Sequence, residues 1–267
     1  MLGLVWRRGI SHRTDAMFHR FFIPSSEWNP ESPRLTGAEA HHAVDVLRLR
    51  VGDAVIVFDG MGTEQAAKVA RLGRDVVALE PGPVARTAAL PCRIAIAQAI
   101  PKGKNMDLIV QKATELGAAA VMPIISERTV VRLDRAEAEA KREKWQRVAV
   151  EACKQCGQNF LPVVATPLAM EEFLARHMVD FDLVLVASLL PGARHLKALL
   201  AEHIEVRGNA PASVLLLIGP EGDFTPEEVN RALACGAVPL SLGPIVLRAE
   251  TAAIYGLSVL AHELQAG

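Results

Sequence analysis

The sequence predicts a two-part α/β protein: a small N-terminal β-barrel or sheet, followed by a larger, mostly parallel sheet with helices on both faces. Two observations predict it. Residues 17–88 carry short strand-like runs punctuated by glycine turns. From Cys92 onward, buried-looking apolar runs alternate with amphipathic stretches, the pattern of strands in a sheet that is covered on both sides. A chain of 267 residues that is 51% hydrophobic has material for one large domain or two modest ones.

In the first part a short helix is predicted around "AEAHHAVDVL" (38–47). The strands "AVIVFDG" (54–60) and "EQAAKVARL" (64–72) flank the turn Gly60-Met61-Gly62, and "DVVALE" (75–80) follows a further glycine turn. The segment "PGPVARTAALP" (81–91) has the composition of a linker. In the second part "CRIAIAQAI" reads as a buried strand, "NMDLIVQKATELG" as a helix ending at Gly117, and "AAVMPIIS" as a strand. A long amphipathic helix covers 134–157. Then come "FDLVLVAS" (strand), "RHLKALLAEH" (helix), "ASVLLLIG" (strand), "TPEEVNRALACG" (helix), "AVPLSLG" (strand) and a closing helix from Glu250. These assignments give the expected division: 1–16 as an extension before a start at Met17, 17–88 as the β domain and 91–267 as the α/β domain.

No apolar run approaches the roughly 20 residues of a membrane helix, and the first arginines follow the short N-terminal apolar stretch rather than precede it, unlike a secretory signal. Four cysteines do not make a disulfide framework in a chain this long, which points to a reducing cytoplasm. The net charge of −1 hides an uneven distribution: +1 over residues 1–90, +4 over 91–170 and −6 over 171–267. The basic middle is either a solvated helix face or a surface for a polyanion.

Two loops stand out. In "LLLIGPEGDFTPEEV" (215–229) the helix is well specified, with Thr225 as N-cap, Pro226 at N1 and Glu228 completing a capping box. The loop before it does not suit phosphate. It lacks the lysine and hydroxyl of a P-loop, does not follow the dinucleotide glycine spacing, and carries Glu221 and Asp223, which repel a pyrophosphate. "SLGPIVLRAETAA" (241–253) repeats Gly-Pro and ends on Arg248, Glu250 and Thr251 at a helix start. Two such loops at the ends of successive strands form an apolar slot with exposed backbone amides and carbonyls. That slot suits a flat heterocycle without phosphate, such as the adenosine of S-adenosylmethionine, whose cationic sulfur tolerates nearby carboxylates.

These two loops resemble the C-terminal knot signature of SPOUT-type methyltransferases, and most closely the RsmE family, which makes N3-methyluridine in 16S ribosomal RNA. "HRFFIP", "HHAVDVLRLRVGDAVIVFDGMG", "KGKNMDLIVQKATELGAAAVMPIISERTVVR" and "KWQRVAVEACKQCGQNFLP" resemble the remaining family blocks, in order, from Met17 onward. The resemblance implies a PUA-like β-barrel, an α/β SPOUT domain with a deep trefoil knot, a homodimer whose active sites draw on both chains, S-adenosylmethionine as cofactor, and 16S rRNA or the small subunit as partner. At Gly157-Gln158-Asn159 the chain departs from it, since relatives often carry arginine where Gln158 stands, and a neutral side chain makes a weaker contact with phosphate.

Uridine N3 carries a proton, so its methylation needs a cation or donor beside the uracil oxygens and no metal. The resemblance thus assigns Arg20 and Arg248 to electrostatic and positioning roles and Asn159 to holding the base. It assigns Gly219, Glu221, Gly222, Leu242, Gly243, Ile245, Leu247, Thr251 and Ala252 to the cofactor slot. A phosphate track is expected from Lys102, Lys104, Arg128, Arg132 and Lys154, and the target base is expected to be single-stranded or flipped out. Each arginine has a structural reading too: Arg248 as a helix-end contact, Arg20 as a surface residue of the barrel. Cys153-x-x-Cys156 lies on a predicted helix with no second pair at zinc spacing and is read as core or incidental thiols. The competing functions are a non-catalytic RNA-binding or ribosome-assembly protein that retains the fold and, disfavoured by the missing fingerprint, a nucleotide-dependent oxidoreductase.

Overall fold

The computed structural model describes residues 18–189 and 191–265; the expected extension, residues 1–16, lies outside them. The N-terminal part is a mixed five-stranded sheet in the order β1-β3-β4-β5-β2, with β1 at His19–Phe22, β2 at Arg34–Thr36, β3 at Ala54–Phe58, β4 at Thr63–Leu72 and β5 at Val76–Arg86. Alternation on β3 as far as Val57 and on β4 as far as Val69 sends Val55, Val57, Ala67 and Val69 inward to join Phe21, Leu35 and Val77 in one core. A short helix α1 (Gly37–His41), continued by a π-helical turn at His42–Val46, caps that core with Ala40 and Ala43.

The expected linker is partly strand. β5 continues through Pro81 and Pro83 to Arg86 instead of ending at Glu80. The prolines are tolerated because β2 pairs with β5 only at Val76, Val77 and Ala78, so beyond that point β5 has a partner on one side only. Two register shifts in the β4–β5 ladder absorb the irregularity.

The second part is a parallel sheet in the order β12-β10-β11-β6-β7-β8, with β9 pairing to β7. Its strands are β6 (Arg93–Ala99), β7 (Ala120–Ile125), β8 (Val163–Val164), β9 (Leu168–Ala169), β10 (Leu183–Ala187), β11 (Ser213–Ile218) and β12 (Val238–Leu240). One face carries α2 (Asn105–Glu115), α3 (Arg135–Cys156), α5 (Leu196–Arg207) and α7 (Ala249–Leu264), packed on Ile94, Ile96, Val214 and Leu216. The other carries α4 (Met170–His177) and α6 (Pro226–Ala234), packed on Ala95, Ala97, Leu215 and Leu217. β11 is buried at every position, which is why it reads as an unbroken apolar run from Val214 to Ile218.

Local signals set the helix ends. Asp134 caps α3 in a reciprocal capping box with Glu137, and Gly157 ends it in the left-handed conformation. Thr225 and Glu228 form the same box on α6, with Pro226 at the first position. Two-residue β8 and β9 and the uncapped α4 carry no comparable signal and escape a reading by periodicity. No helix among the described residues is long and apolar enough to cross a membrane.

Candidate active site

The sheet order places β10 between β12 and β11, so three strands deliver their carboxyl ends to one place. An open cleft of about 110 Å³ lies there. Its walls are Ala187, Ser188 and Leu189 from the end of β10, and Ile218 to Glu221 with Asp223 from the loop after β11. The loop after β12 adds Leu242, Gly243, Ile245, Val246 and Leu247, and the first turn of α7 adds Ala249 and Ala252.

Hydrogen bonds to neighbouring loops hold these walls in place. The Glu228 carboxylate, almost fully buried, accepts from its own cap residue Thr225 (2.9 Å) and from the Glu127 amide (2.8 Å), tying α6 to the loop after β7. Arg128 donates to the Gly222 carbonyl at 2.6 Å, and the Lys102 amide donates to the Glu221 carboxylate at 2.7 Å. Asp223 adopts a positive φ of 59°, with its carboxylate accepting the Phe224 amide at 2.8 Å. Gly219 packs so closely on that turn that a Cβ there would sit 2.8 Å from the Asp223 carboxylate oxygen.

Of the residues expected in the cofactor slot, Gly219, Glu221, Leu242, Gly243, Ile245, Leu247 and Ala252 line the cleft. Gly222 does not; its carbonyl faces Arg128 instead. Thr251 is exposed, because the next helical position, Ala252, is the one that turns inward. The β10 wall was missed, although "FDLVLVAS" reads as a strand. Its carboxyl end carries no glycine or charge to advertise it.

The three residues expected to act on the base divide into two groups. Arg248 sits between two cleft residues, Leu247 and Ala249, as the extended N-cap of α7. Its head is exposed, makes no cap hydrogen bond, and has no ion-pair partner among the described residues. Arg20 and Asn159 are hydrogen-bonded to each other at the junction of the two sheets. Arg20 is not the surface residue of the alternative reading: its side chain is 11% exposed and pairs with Glu64 at 2.9 Å. Asn159, expected to hold the base, is 3% exposed and spends both amide hydrogens on Glu64 (3.1 Å) and Thr87 (2.8 Å). The Gln158 oxygen accepts the amides of Asn159 and Phe160, bracing the same turn.

Lys102, Lys104 and Arg132 are exposed, and their side chains have no hydrogen-bond or ion-pair partner among the described residues. Arg128 is exposed but braced to the cofactor-side loop. Lys154 departs from the expected track. Only 8% exposed, its ammonium is committed to Glu39 (3.1 Å) and Glu151 (2.9 Å), because α3 turns this position onto the N-terminal sheet. Burial pushes the Glu39 carboxyl up, against the opposing pull of Lys154. Cys153 is buried and Cys156 exposed. Burial pushes the Cys153 thiol up to about 12, which keeps it protonated and a poor ligand.

Sequence comparison decides the family. A model described as an RNA methyltransferase domain matches residues 88–261, and an RNA methyltransferase PUA domain matches 35–81. The ribosomal RNA small subunit methyltransferase E of Bacillus subtilis is 34% identical over 255 residues, covering 92% of this chain and 97% of that protein. The chain belongs to this RNA methyltransferase family. The RsmE protein of Synechocystis is also 34% identical, over 91% of this chain and 77% of its own length. Among solved structures, a putative methyltransferase of Legionella pneumophila with bound SAM superposes with a TM-score of 0.81 at 33% identity, covering 92% of this chain and 98% of that one. The RsmE enzyme of Neisseria gonorrhoeae bound to S-adenosyl methionine gives 0.79 at 28% identity, covering 92% and 98%. The N-terminal sheet is thus a PUA-like domain, and the parallel sheet is an RsmE-type SPOUT methyltransferase domain.

Proposed function

We propose that this chain transfers a methyl group from S-adenosylmethionine to N3 of a uridine in 16S rRNA, working as a cytoplasmic homodimer with a trefoil knot in the domain at 91–267 and the PUA-like domain at 17–88. The observation that carries the reading is the cleft at the ends of β10, β11 and β12 with Arg248, which has no ion-pair partner among the described residues, at its edge. The cleft suits the cofactor. Leu242, Ile245, Leu247 and Ala252 supply aliphatic walls for adenosine, glycine backbone offers amides and carbonyls, and Glu221 and Asp223 favour a cationic ligand over a phosphate. When bound, S-adenosylmethionine supplies an electrophilic methyl group.

As uracil N3 sheds its proton to water, negative charge builds on N3 and the flanking oxygens, and the arriving methyl then discharges it. Arg248, placed at the cleft edge, stabilises that charge. The homodimer is supported by the cleft's outer lip. Ile245 and Val246 are each 73% exposed, with Leu189 beside them and Tyr255 exposed on α7, an apolar surface of the kind a second chain covers.

Lys102, Lys104 and Arg132 carry the phosphate track. Changing Lys102 and Lys104 together to alanine is expected to flatten the dependence of log K for rRNA on log salt by about 1.4 to 1.8, two phosphate contacts' worth. An unchanged slope in binding titrations across salt would remove both lysines from the track. The function itself is tested by primer extension on 16S rRNA from cells with and without the gene. Methylation at N3 blocks the Watson–Crick edge, so a reverse-transcriptase stop present in the parent should vanish on deletion. The same stops in both strains would leave the non-catalytic assembly protein as the reading.

A further inference from the structure

Besides the Lys154–Glu39 ion pair, the PUA-like sheet and the methyltransferase sheet are stapled by backbone hydrogen bonds. Gly62 donates to the Asn159 carbonyl at 3.0 Å and Leu161 donates to the Gly60 carbonyl at 3.0 Å, while within the PUA-like domain Thr87 donates to the Gly62 carbonyl at 2.8 Å. Met61 and Phe160 form an antiparallel bridge between them. The contact is so tight that a Cβ on Gly62, whose φ is +95°, would lie 2.5 Å from the Phe160 ring.

Behind this backbone staple sits a polar network in which Arg20 Nε is buried without a hydrogen-bond partner among the described residues. One oxygen of Glu64 accepts from Arg20 Nη1 at 2.9 Å and from Asn159 Nδ2 at 3.1 Å. Asn159 Nδ2 also donates to Thr87 Oγ1 at 2.8 Å, and its oxygen accepts from Arg20 Nη2. The Arg20 guanidinium lies 5.1 Å from the Phe58 ring centroid. The orientation of the Asn159 amide is settled by its partners: reversed, it would point oxygen at the Glu64 carboxylate and hydrogens at the guanidinium. Four side chains from β1, β4, the segment after β5 and the turn after α3 thus meet, and Glu64 is the member that touches both Arg20 and Asn159.

We propose that Glu64 is a positioning residue for methyl transfer. Through Arg20 and Asn159 it sets the angle of the PUA-like domain on the methyltransferase sheet, so that an RNA gripped by both is aligned with the cleft. The proposal rests on the rRNA methyltransferase reading. Two features favour positioning over direct action on the base. Asn159 has no free donor, and the Glu64 carboxylate offsets the charge of Arg20 at any substrate. A partly buried ion pair whose ends are also bound to an amide fixes orientation more sharply than apolar contact does, and misplacing a substrate by about 1 Å costs about 100-fold in rate.

The test compares Glu64→Ala and Glu64→Gln, measuring cofactor affinity by calorimetry, methylation kinetics on 16S rRNA, and the rate of tryptic cleavage after the exposed Arg86. For Glu64→Ala, kcat/KM for RNA is expected to fall at least about tenfold, cofactor affinity to hold within about twofold, and cleavage at Arg86 to accelerate. Glu64→Gln keeps an oxygen for both donors and should recover most of the loss. If Glu64→Ala does not fold, Thr87→Val, which removes one acceptor of Asn159, should show a smaller effect of the same kind. Wild-type kinetics in Glu64→Ala, or cofactor affinity falling in step with rate, would overturn the proposal. If the wild type itself leaves 16S rRNA unmethylated, the function reading fails separately. The proteolysis still decides the placement of the domains, and unchanged cleavage at Arg86 would then overturn the role of Glu64.

Discussion

Arg248→Ala should lower the single-turnover rate of methylation about 100- to 1,000-fold, the usual cost of removing one preorganised donor from developing charge. Cofactor affinity and melting temperature should stay close to wild type. The expectation follows from what the side chain does not do. It is exposed, makes no cap hydrogen bond and has no ion-pair partner among the described residues, so its removal strips nothing from the fold. The backbone bond from Ala252 to the Arg248 carbonyl, 2.8 Å, survives the substitution. A cation at a helix N-terminus also opposes the helix dipole, so the alanine variant should be as stable as wild type or slightly more so. A residue kept only to hold α7 together would give the reverse pattern, with full rate and lowered melting temperature, and that result would end the catalytic assignment.

Much of this architecture is legible in the sequence because short-range chemistry specifies it. The capping boxes at Asp134 and Thr225 and the left-handed Gly157 mark helix ends within the helices' own residues. β11, apolar from Val214 to Ile218, announces a strand buried on both faces. What stays hidden depends on partners far along the chain. Pro81 and Pro83 read as linker because nothing local shows that β2 stops pairing at Ala78. The burial of Lys154 is hidden because Glu39, which draws it onto the N-terminal part, lies 115 residues away; only its pair with Glu151 is local. Residues 187–189, the third cleft wall, gain their role only from the order β12-β10-β11, which sequence order does not give. The two Gly-Pro loops were legible as a slot because glycine, proline and misplaced carboxylates are local signals. Which glycine matters within them was not.

Gly219→Ala and Gly222→Ala separate the two glycines of the first loop. At Gly219 a new Cβ would lie 2.8 Å from the Asp223 carboxylate, 3.0 Å from the Phe224 amide nitrogen and 3.1 Å from Asp223 Cα. Two of those three atoms are backbone and cannot step aside alone. Asp223 is already in a left-handed conformation, held by its bond to the Phe224 amide and by its own amide donating to Pro220 at 2.9 Å. Phe224 is buried in the core under α6, and Thr225 caps that helix, so the turn cannot move outward without drawing on α6. Relief must come from the cleft side, where Pro220, Glu221 and Asp223 form the wall. Affinity for S-adenosylmethionine should therefore fall on the order of 100-fold, about 2.7 kcal/mol, with stability reduced by about 1–3 kcal/mol from overpacking. At Gly222 the added carbon would meet only the Arg128 side chain, at 3.4 Å, an ordinary contact with a flexible group. Calorimetry on Gly222→Ala should return near wild-type affinity. Equal losses in the two variants would mean that the loop responds to any added side chain, and that the close packing of Gly219 on Asp223 is not what shapes the cleft.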